Sequence, residues 1–125
     1  IPTFISQALR NQDITIFGEG LQTRSIQYVS DLVRGVLLLA DSDVTLPVNI
    51  GNPCEITMIE LAGLIKRLAG SKSKIVQSQP LPEDDPLLRK PDISRAIHLL
   101  NWKPGVSPEE GLKRTIKWFK RQLLG

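Results

Sequence analysis

Hydrophobic residues in this chain recur mainly at intervals of three and four positions, which is the spacing of one face of an α-helix. The clearest run lies between Thr57 and Gly70. Its apolar face consists of Met58, Leu61, Leu64, Ile65 and Leu68. Thr57 and Glu60 form a T-x-x-E capping box in front of this face, and glycine is common just past a helix end. The pattern therefore predicts a helix that starts after Thr57 and ends at Gly70.

The same periodicity and similar end signals predict four more helices. They extend over residues 2–12, 32–40, 93–100 and 108–123. Ser30, Asp92 and Ser107 are the expected N-caps of the last three, because a side-chain oxygen there can accept a hydrogen bond from a free helical N–H group. Pro108 fits the first turn of the final helix, where its missing N–H group does not matter.

Short runs of β-branched and apolar residues predict a small amount of strand. The strands are expected at residues 14–17, 47–51 and 74–77, with a further extended piece at 26–29. Residues 18–24 and the proline-rich segment 78–91 are predicted loops. The sequence contains no long alternating strand and no complete βαβαβ series. The chain is therefore α+β in local composition, and its strands are expected to belong to a sheet whose remainder lies elsewhere.

Composition and charge exclude several classes of protein. With 125 residues, 41% hydrophobic and 23% charged, the chain has the make-up of one folded domain or part of one. One histidine and one cysteine, Cys54, rule out a zinc site and an internal disulfide framework. A net charge of +3 is too small for the dense basic stripe of a nucleic-acid-binding domain. Since no apolar run approaches roughly 18 residues, a membrane partner is not expected either.

Two features of the first predicted loop suggest a charged ligand. Gly18 and Gly20 resemble a phosphate-binding loop, but the dinucleotide fingerprint G-x-G-x-x-G would need glycine where Thr23 stands. The loop does not open a helix, so a turn between extended segments is the favoured interpretation. Arg24 follows, and a loop arginine beside glycines can bind a phosphate through two hydrogen bonds. The charged residues at 84–92 are most simply interpreted as a solvated cluster.

Four segments together closely resemble the C-terminal half of the UDP-glucuronate decarboxylases, nucleotide-sugar enzymes of the extended short-chain dehydrogenase/reductase family. They are ITIFGEGLQTRSIQYVSDLVRGV, PVNIGNPCEITMIELA, EDDPLLRKPDISRAIHLLNWKP and SPEEGLKRTIKWF. Related epimerases and dehydratases share the first, whereas the DDP and RKPDI residues of the third are typical of the decarboxylases. Asn101 stands before Trp102 where the family usually has glycine, and asparagine also tolerates the left-handed cap conformation.

The resemblance implies a fold of the α/β family. Residues 1–125 would form the C-terminal substrate-binding part of a doubly wound, NAD-binding Rossmann-type enzyme. The family's G-x-x-G-x-x-G motif and its Tyr-x-x-x-Lys pair are absent here, since the one tyrosine, Tyr28, is followed four residues later by Leu32. We therefore expect NAD to be bound by an N-terminal portion missing from this chain, and the chain alone to be inactive. The start at Ile1 rather than Met also indicates a processed or partial chain.

The resemblance also implies roles for four residues. By position, Phe17 lies near the nucleoside, and Gln22 and Arg24 face the nucleotide or its pyrophosphate. Arg89 matches the arginine that reaches the sugar end of the substrate and assists protonation after decarboxylation. The implied reaction converts UDP-glucuronate to UDP-xylose and carbon dioxide, with oxidation at C4 by NAD, loss of carbon dioxide and return of the hydride. No metal ion is implied.

The implied partner is a UDP-sugar substrate, and the complete enzyme is expected to be a homodimer in the cytoplasm, or in the Golgi lumen of a eukaryotic source. Two alternatives stay open. A dTDP-glucose 4,6-dehydratase or a UDP-sugar 4-epimerase shares the architecture, and only the 83–92 loop argues against it. A truncated, noncatalytic interaction module would instead use the basic face of the last helix.

Overall fold

A computed structural model describes residues 1–124, which form five helices and four short strands. In chain order the elements are α1 (Pro2–Leu9), β1 (Ile14–Phe17), β2 (Thr23–Ser25), α2 (Val29–Ala40), β3 (Glu55–Thr57), α3 (Met58–Ala69), β4 (Ile75–Gln79), α4 (Ser94–Leu100) and α5 (Pro108–Leu124). This architecture confirms the predicted mixture of helices with short strands.

The strands form two separate pairs. β1 and β4 run parallel, with Ile14 opposite Ile75 and an irregularity in the register just before Phe17. β2 and β3 run antiparallel, with Arg24 opposite Ile56. Parallel strands need a long crossover connection, and here β2, α2, β3 and α3 all lie between the two partners. The folded chain therefore brings the end of β1 next to a segment far along the sequence.

Two apolar clusters hold these elements together. The larger one joins α1, α3 and α5 to β1, and consists of Phe4, Ile5, Ala8, Ile14, Ile16, Leu61, Ala62, Ile65, Leu112 and Ile116. The smaller one lies under α4 and consists of Ile93, Ala96, Leu100 and Trp102, with Val48 and Ile50 packed against it. The helices α3 and α5 supply half of the larger cluster, and Leu61 and Ile65 belong to the predicted apolar face of α3.

The predicted ends of α3 and the predicted cap of α5 are confirmed, whereas α1 ends earlier, at Leu9, and α4 has Ile93 instead of Asp92 in its N-cap position. Thr57 Oγ1 accepts a hydrogen bond of 3.2 Å from the amide of Glu60, and Glu60 Oε2 accepts one of 3.0 Å from the amide of Thr57. Ser107 Oγ accepts one of 3.2 Å from an amide in the first turn of α5. Gly70 and Asn101 take left-handed cap conformations, with φ of 65° and 49°. Asparagine thus serves as the C-cap of α4, as its tolerance of this conformation predicts.

The predicted strand at residues 47–51 is wrong. This segment makes no strand pairing in the described chain, and the true partner of β2 is Glu55–Thr57, where no strand was predicted. Val48 and Ile50 pack against the cluster of Trp102 instead of alternating across a sheet. Their β-branched character therefore reflects burial against helices, which periodicity alone does not distinguish from strand pairing.

The predicted start of α2 is also wrong. The helix begins at Val29 with Tyr28 in the N-cap position, and Ser30 is an exposed residue of its first turn. Asp31 is buried, and the backbone amides of Gly105 and Val106 donate hydrogen bonds to its carboxylate. This long-range anchor sets the orientation of the first turn, so the local capping preference of Ser30 does not decide it.

Several helices expose apolar side chains. α2 carries the largest set, with Val29, Val33, Val36 and Leu37 each at least half exposed. On α5, Leu112 and Ile116 are buried, whereas Leu123 is exposed. Within residues 1–124, no helix is both long enough and apolar enough to cross a membrane.

Candidate functional site

Arg24 is the central residue of β2, and three contacts fix its guanidinium. Nη1 donates to the carbonyl oxygens of Thr23 and Pro86, at 2.6 and 3.0 Å. Nη2 donates to Asp85 Oδ1 at 2.5 Å. The side chain is 22% exposed, so it is partly shielded and still reaches solvent. Such a guanidinium is oriented before any ligand arrives, which lowers the entropy cost of binding.

Arg89, the second arginine of the site, lies on the loop between β4 and α4. This loop runs alongside β2, because the amide of Thr23 donates to the carbonyl of Leu87 at 2.7 Å and Ser25 Oγ donates to the carbonyl of Arg89 at 2.9 Å. Arg89 Nη2 lies 3.9 Å from Asp85 Oδ1, and its side chain is 60% exposed. Arg89 is therefore close to Arg24 but far less constrained.

Arg24 and Arg89 line an open groove of about 580 Å³. The full lining consists of Arg24, Ser25, Gln27, Ile50, Gly51, Asn52, Arg89, Lys90 and Pro91. Three of these side chains are cationic, and no carboxylate is among the described lining residues. A groove with this charge attracts anions, and arginine matches the geometry of phosphate and carboxylate oxygens.

One wall of the groove depends on a glycine. A Cβ on Gly51 would lie 2.9 Å from Pro91 Cγ, so a side chain there would push the two walls apart. Asn52 holds the turn after Gly51 in place: its Nδ2 donates to the carbonyl of Ile26 at 3.1 Å and its Oδ1 accepts from the amide of Cys54 at 3.0 Å. The segment predicted as a strand thus ends in a bend at Gly51 that shapes the groove.

Phe17 and Gln22 do not line this groove. Gln22 is buried under the turn after β1, where its Nε2 donates to the carbonyl of Phe17 at 3.3 Å. Phe17 ends β1 and is 46% exposed. The structure therefore brings Arg24 and Arg89 together, whereas Gln22 supports the neighbouring turn and Phe17 offers an exposed aromatic ring beside it.

The glycines of that turn do not fit a dinucleotide pyrophosphate. Gly18 and Gly20 have φ of 55° and 74°, and the turn leads into β2, not into a helix. Both amides are already engaged, since Gly18 donates to the carbonyl of Gln79 at 2.8 Å and Gly20 to the carbonyl of Phe17 at 3.3 Å. A pyrophosphate cradle needs free amides at a helix N-terminus. NAD therefore has no fitting site at these glycines.

Sequence reasoning missed Gln27 and Lys90, which also line the groove. Gln27 Nε2 donates to the carbonyl of Ile50 at 3.2 Å, while its Oε1 is buried without a hydrogen-bond partner in residues 1–124. No sequence signal marks Gln27, because its position depends on how the segment after β2 packs. Lys90 lies in the charged 84–92 segment, for which the sequence favours a solvated cluster.

Two carboxylates with shifted pKa values belong to the scaffold. The hydroxyl and then the amide of Ser94 lower the pKa of Asp92, which is exposed at the start of α4. Burial raises the pKa of Asp31, but hydrogen bonds from the amides of Val106 and Gly105 outweigh it and leave the pKa below its usual value. Both groups are therefore ionised near neutral pH and unsuited to donate a proton.

The chain is similar in sequence to known proteins. Residues 1–51 match the sequence model of the NAD dependent epimerase/dehydratase family. UDP-glucuronic acid decarboxylase 1 from Danio rerio is 50% identical to this chain over 123 residues, which cover 98% of this chain and 29% of the relative. This chain thus spans less than a third of the length of that relative.

Solved structures share the fold. UDP-glucose 4-epimerase from Thermotoga maritima, in a structure with UDP-glucose, superposes with a TM-score of 0.90 at 34% identity, covering 96% of this chain and 38% of that protein. UDP-glucuronic acid 4-epimerase from Bacillus cereus, in complex with UDP-glucuronic acid and NAD, gives a TM-score of 0.87 at 27% identity, covering 96% of this chain and 39% of that protein.

Proposed function

We propose that this chain is the nucleotide-sugar-binding portion of an NAD-dependent UDP-glucuronate decarboxylase of the NAD dependent epimerase/dehydratase family, whose sequence model matches residues 1–51. The observation that carries the proposal is the similarity to named UDP-glucuronic acid decarboxylases along nearly the whole chain. The basic groove between Arg24 and Arg89 supports it, because the substrate carries both a diphosphate and a carboxylate. The products would be UDP-xylose and carbon dioxide.

Arg24 is proposed to bind the pyrophosphate. Its guanidinium is fixed by Thr23, Pro86 and Asp85, and a pre-oriented cation binds a diphosphate with little loss of side-chain entropy. Gln22 and Phe17 would act at the nucleoside end. The exposed ring of Phe17 offers a face for a base, and Gln22 would act by supporting the backbone of that turn.

Arg89 is proposed to act at the sugar end. Its one ion-pair contact among the described residues is long, at 3.9 Å, so it can move toward a substrate carboxylate at small cost. Arginine stays cationic at neutral pH. After loss of carbon dioxide it would therefore assist protonation of the sugar by stabilising the negative charge that develops there.

NAD is proposed to bind outside this chain and to supply the hydride chemistry of the reaction. The misfit of Gly18 and Gly20 supports this division, as does the absence of a Tyr-x-x-x-Lys pair from the 125 residues. The residues of this chain would bind and orient the UDP-sugar. The complete enzyme is proposed to be a homodimer.

A 4-epimerase is the second candidate, because the superposed structures include epimerases of UDP-glucose and UDP-glucuronic acid. The two reactions differ in their products. A decarboxylase releases carbon dioxide from UDP-glucuronate, whereas an epimerase returns a C4 epimer with its carboxylate intact. Product analysis therefore separates them even though the groove would suit either substrate.

The test is to purify the complete enzyme that contains this chain and incubate it with NAD and, separately, UDP-glucuronate, UDP-glucose and dTDP-glucose. We expect carbon dioxide and UDP-xylose from UDP-glucuronate alone. A C4 epimer would identify an epimerase, and a 6-deoxy-4-keto product from dTDP-glucose would identify a dehydratase. UDP binding without turnover of any substrate would identify a noncatalytic binding module. The 125-residue chain alone should yield no product, and UDP-xylose from it would refute the proposed division of roles.

A further inference from the structure

Asp85 lies behind the groove and touches both of its arginines. Its Oδ1 accepts from Arg24 Nη2 at 2.5 Å and lies 3.9 Å from Arg89 Nη2. The carboxylate is 25% exposed and does not line the groove itself. Its acidic neighbours Glu83 and Asp84 are exposed. Of the three consecutive acids, Asp85 is therefore the one integrated into the structure of the site.

The contacts of Asp85 explain how two cationic side chains can lie close together at one groove. Arg24 and Arg89 repel each other, and a carboxylate between them offsets that repulsion. Asp85 also begins the stretch of loop that hydrogen-bonds to β2 through Pro86, Leu87 and Arg89. Holding Asp85 on Arg24 thus holds the loop that carries Arg89.

We propose that Asp85 is a positioning residue that fixes Arg24 at the groove and thereby sets the affinity for the diphosphate of the ligand. The proposal rests on the proposed function, because it takes the groove as the nucleotide-sugar site. The groove is open to water, so one lost negative charge strengthens phosphate binding only weakly. Freeing the long side chain of Arg24 costs more, because it must be immobilised again when the ligand binds.

The test compares Asp85→Asn with Asp84→Asn in the complete enzyme, since both remove one negative charge from adjacent residues. UDP affinity is measured by calorimetry, and KM and kcat are measured with UDP-glucuronate. For Asp85→Asn we expect UDP affinity to fall and KM to rise, each by about tenfold, with kcat changed by less than about threefold. Asp84→Asn should match the wild type. Tighter UDP binding by Asp85→Asn would mean that Asp85 competes with the ligand, and would overturn the proposal.

Two further variants separate positioning from a general effect on folding. Asp85→Glu keeps the charge and should retain UDP affinity within about threefold of wild type, whereas the same loss as in Asp85→Asn at unchanged thermal stability would contradict the proposal. In an Arg24→Ala background, Asp85→Asn should add little further loss, because its main partner is already gone. If the Asp85→Asn and Asp84→Asn variants bind UDP equally well, Asp85 has no positioning role, whereas the proposed function of the chain is unaffected. If the wild type neither binds UDP nor turns over a UDP-sugar, the proposed function fails and this inference falls with it.

Discussion

The indole Nε1 of Trp102 donates a hydrogen bond of 3.0 Å to the backbone carbonyl of Asp31, and this bond is buried. The Asp31 carboxylate in turn accepts from the amides of Gly105 and Val106, at 3.1 and 3.0 Å. The start of α2 and the segment after α4 are therefore tied together by both the backbone and the side chain of one residue. This connection holds the smaller apolar cluster against α2.

Asp31→Asn should destabilise the protein by about 2 kcal/mol at pH 7, because two backbone amides lose a charged acceptor. The pKa of Asp31 is lower in the folded protein than the value of about 3.9 in an unfolded chain. The folded state therefore binds fewer protons, so this stabilisation is complete above about pH 5 and is lost as the pH falls through the folded pKa. Urea unfolding at pH 7 measures the first effect, and a series continued down to about pH 2 measures the second.

The acid sensitivity of Asp31→Asn should be smaller than that of the wild type, because the titrating group is gone. Asp43→Asn is the matched control, since Asp43 is exposed and its removal should leave stability within about 0.5 kcal/mol. Equal stability of the Asp31 and Asp43 variants at pH 7 would show that the anchor contributes little.

Gly35→Ala should destabilise the protein by about 1–2 kcal/mol despite the higher helix propensity of alanine. A Cβ on Gly35 would lie 2.8 Å from Ile50 Cγ2 and 3.2 Å from Trp102 Nε1, so α2 would have to move away from the smaller apolar cluster. Gly63→Ala on α3 is the control, because no atom lies within 4 Å of the added Cβ. It should stabilise by about 0.5–1 kcal/mol. Thermal unfolding of both variants measures the difference. If both variants shift the melting temperature in the same direction, the close approach of Gly35 to Ile50 and Trp102 does not limit stability.

Arg24→Ala in the complete enzyme should mainly weaken substrate binding. Loss of charge-assisted hydrogen bonds to a diphosphate predicts UDP affinity about tenfold to a hundredfold lower, with a smaller effect on kcat. The exposed Arg10 is the C-cap residue of α1 and lies outside the groove lining, so Arg10→Ala is a control of equal charge change. Calorimetry with UDP makes the measurement. Unchanged affinity in Arg24→Ala would remove this residue from the site.

Arg89→Ala should mainly lower turnover, by about a hundredfold in kcat, because its charge is needed where negative charge develops on the sugar. UDP affinity should change little, since UDP lacks the sugar. Steady-state kinetics with UDP-glucuronate and calorimetry with UDP separate the two effects. A variant with normal kcat and weakened UDP binding would reassign Arg89 to the pyrophosphate.

Local signals predicted those parts of the fold that depend on neighbouring residues. The capping box of Thr57 and Glu60, the left-handed caps at Gly70 and Asn101 and the apolar face of α3 need only a few consecutive positions. Strand pairing was harder to predict, because β3 is three residues long and is defined by its partner. Val48 and Ile50 carry the same β-branched signal without being in a strand, since burial against α2 and α4 favours it equally.

By itself, the sequence determined the helices, the α/β character and the resemblance that singled out Arg24 and Arg89. Each of these depends on residue types at short spacings or on whole motifs, which are written in the chain. Only the tertiary structure decided that both arginines line one groove, that Asp85 lies behind them and that Gln22 faces the interior. These relations depend on how the loop before α4 lies along β2, and hydrogen bonds between residues far apart in sequence leave no local pattern.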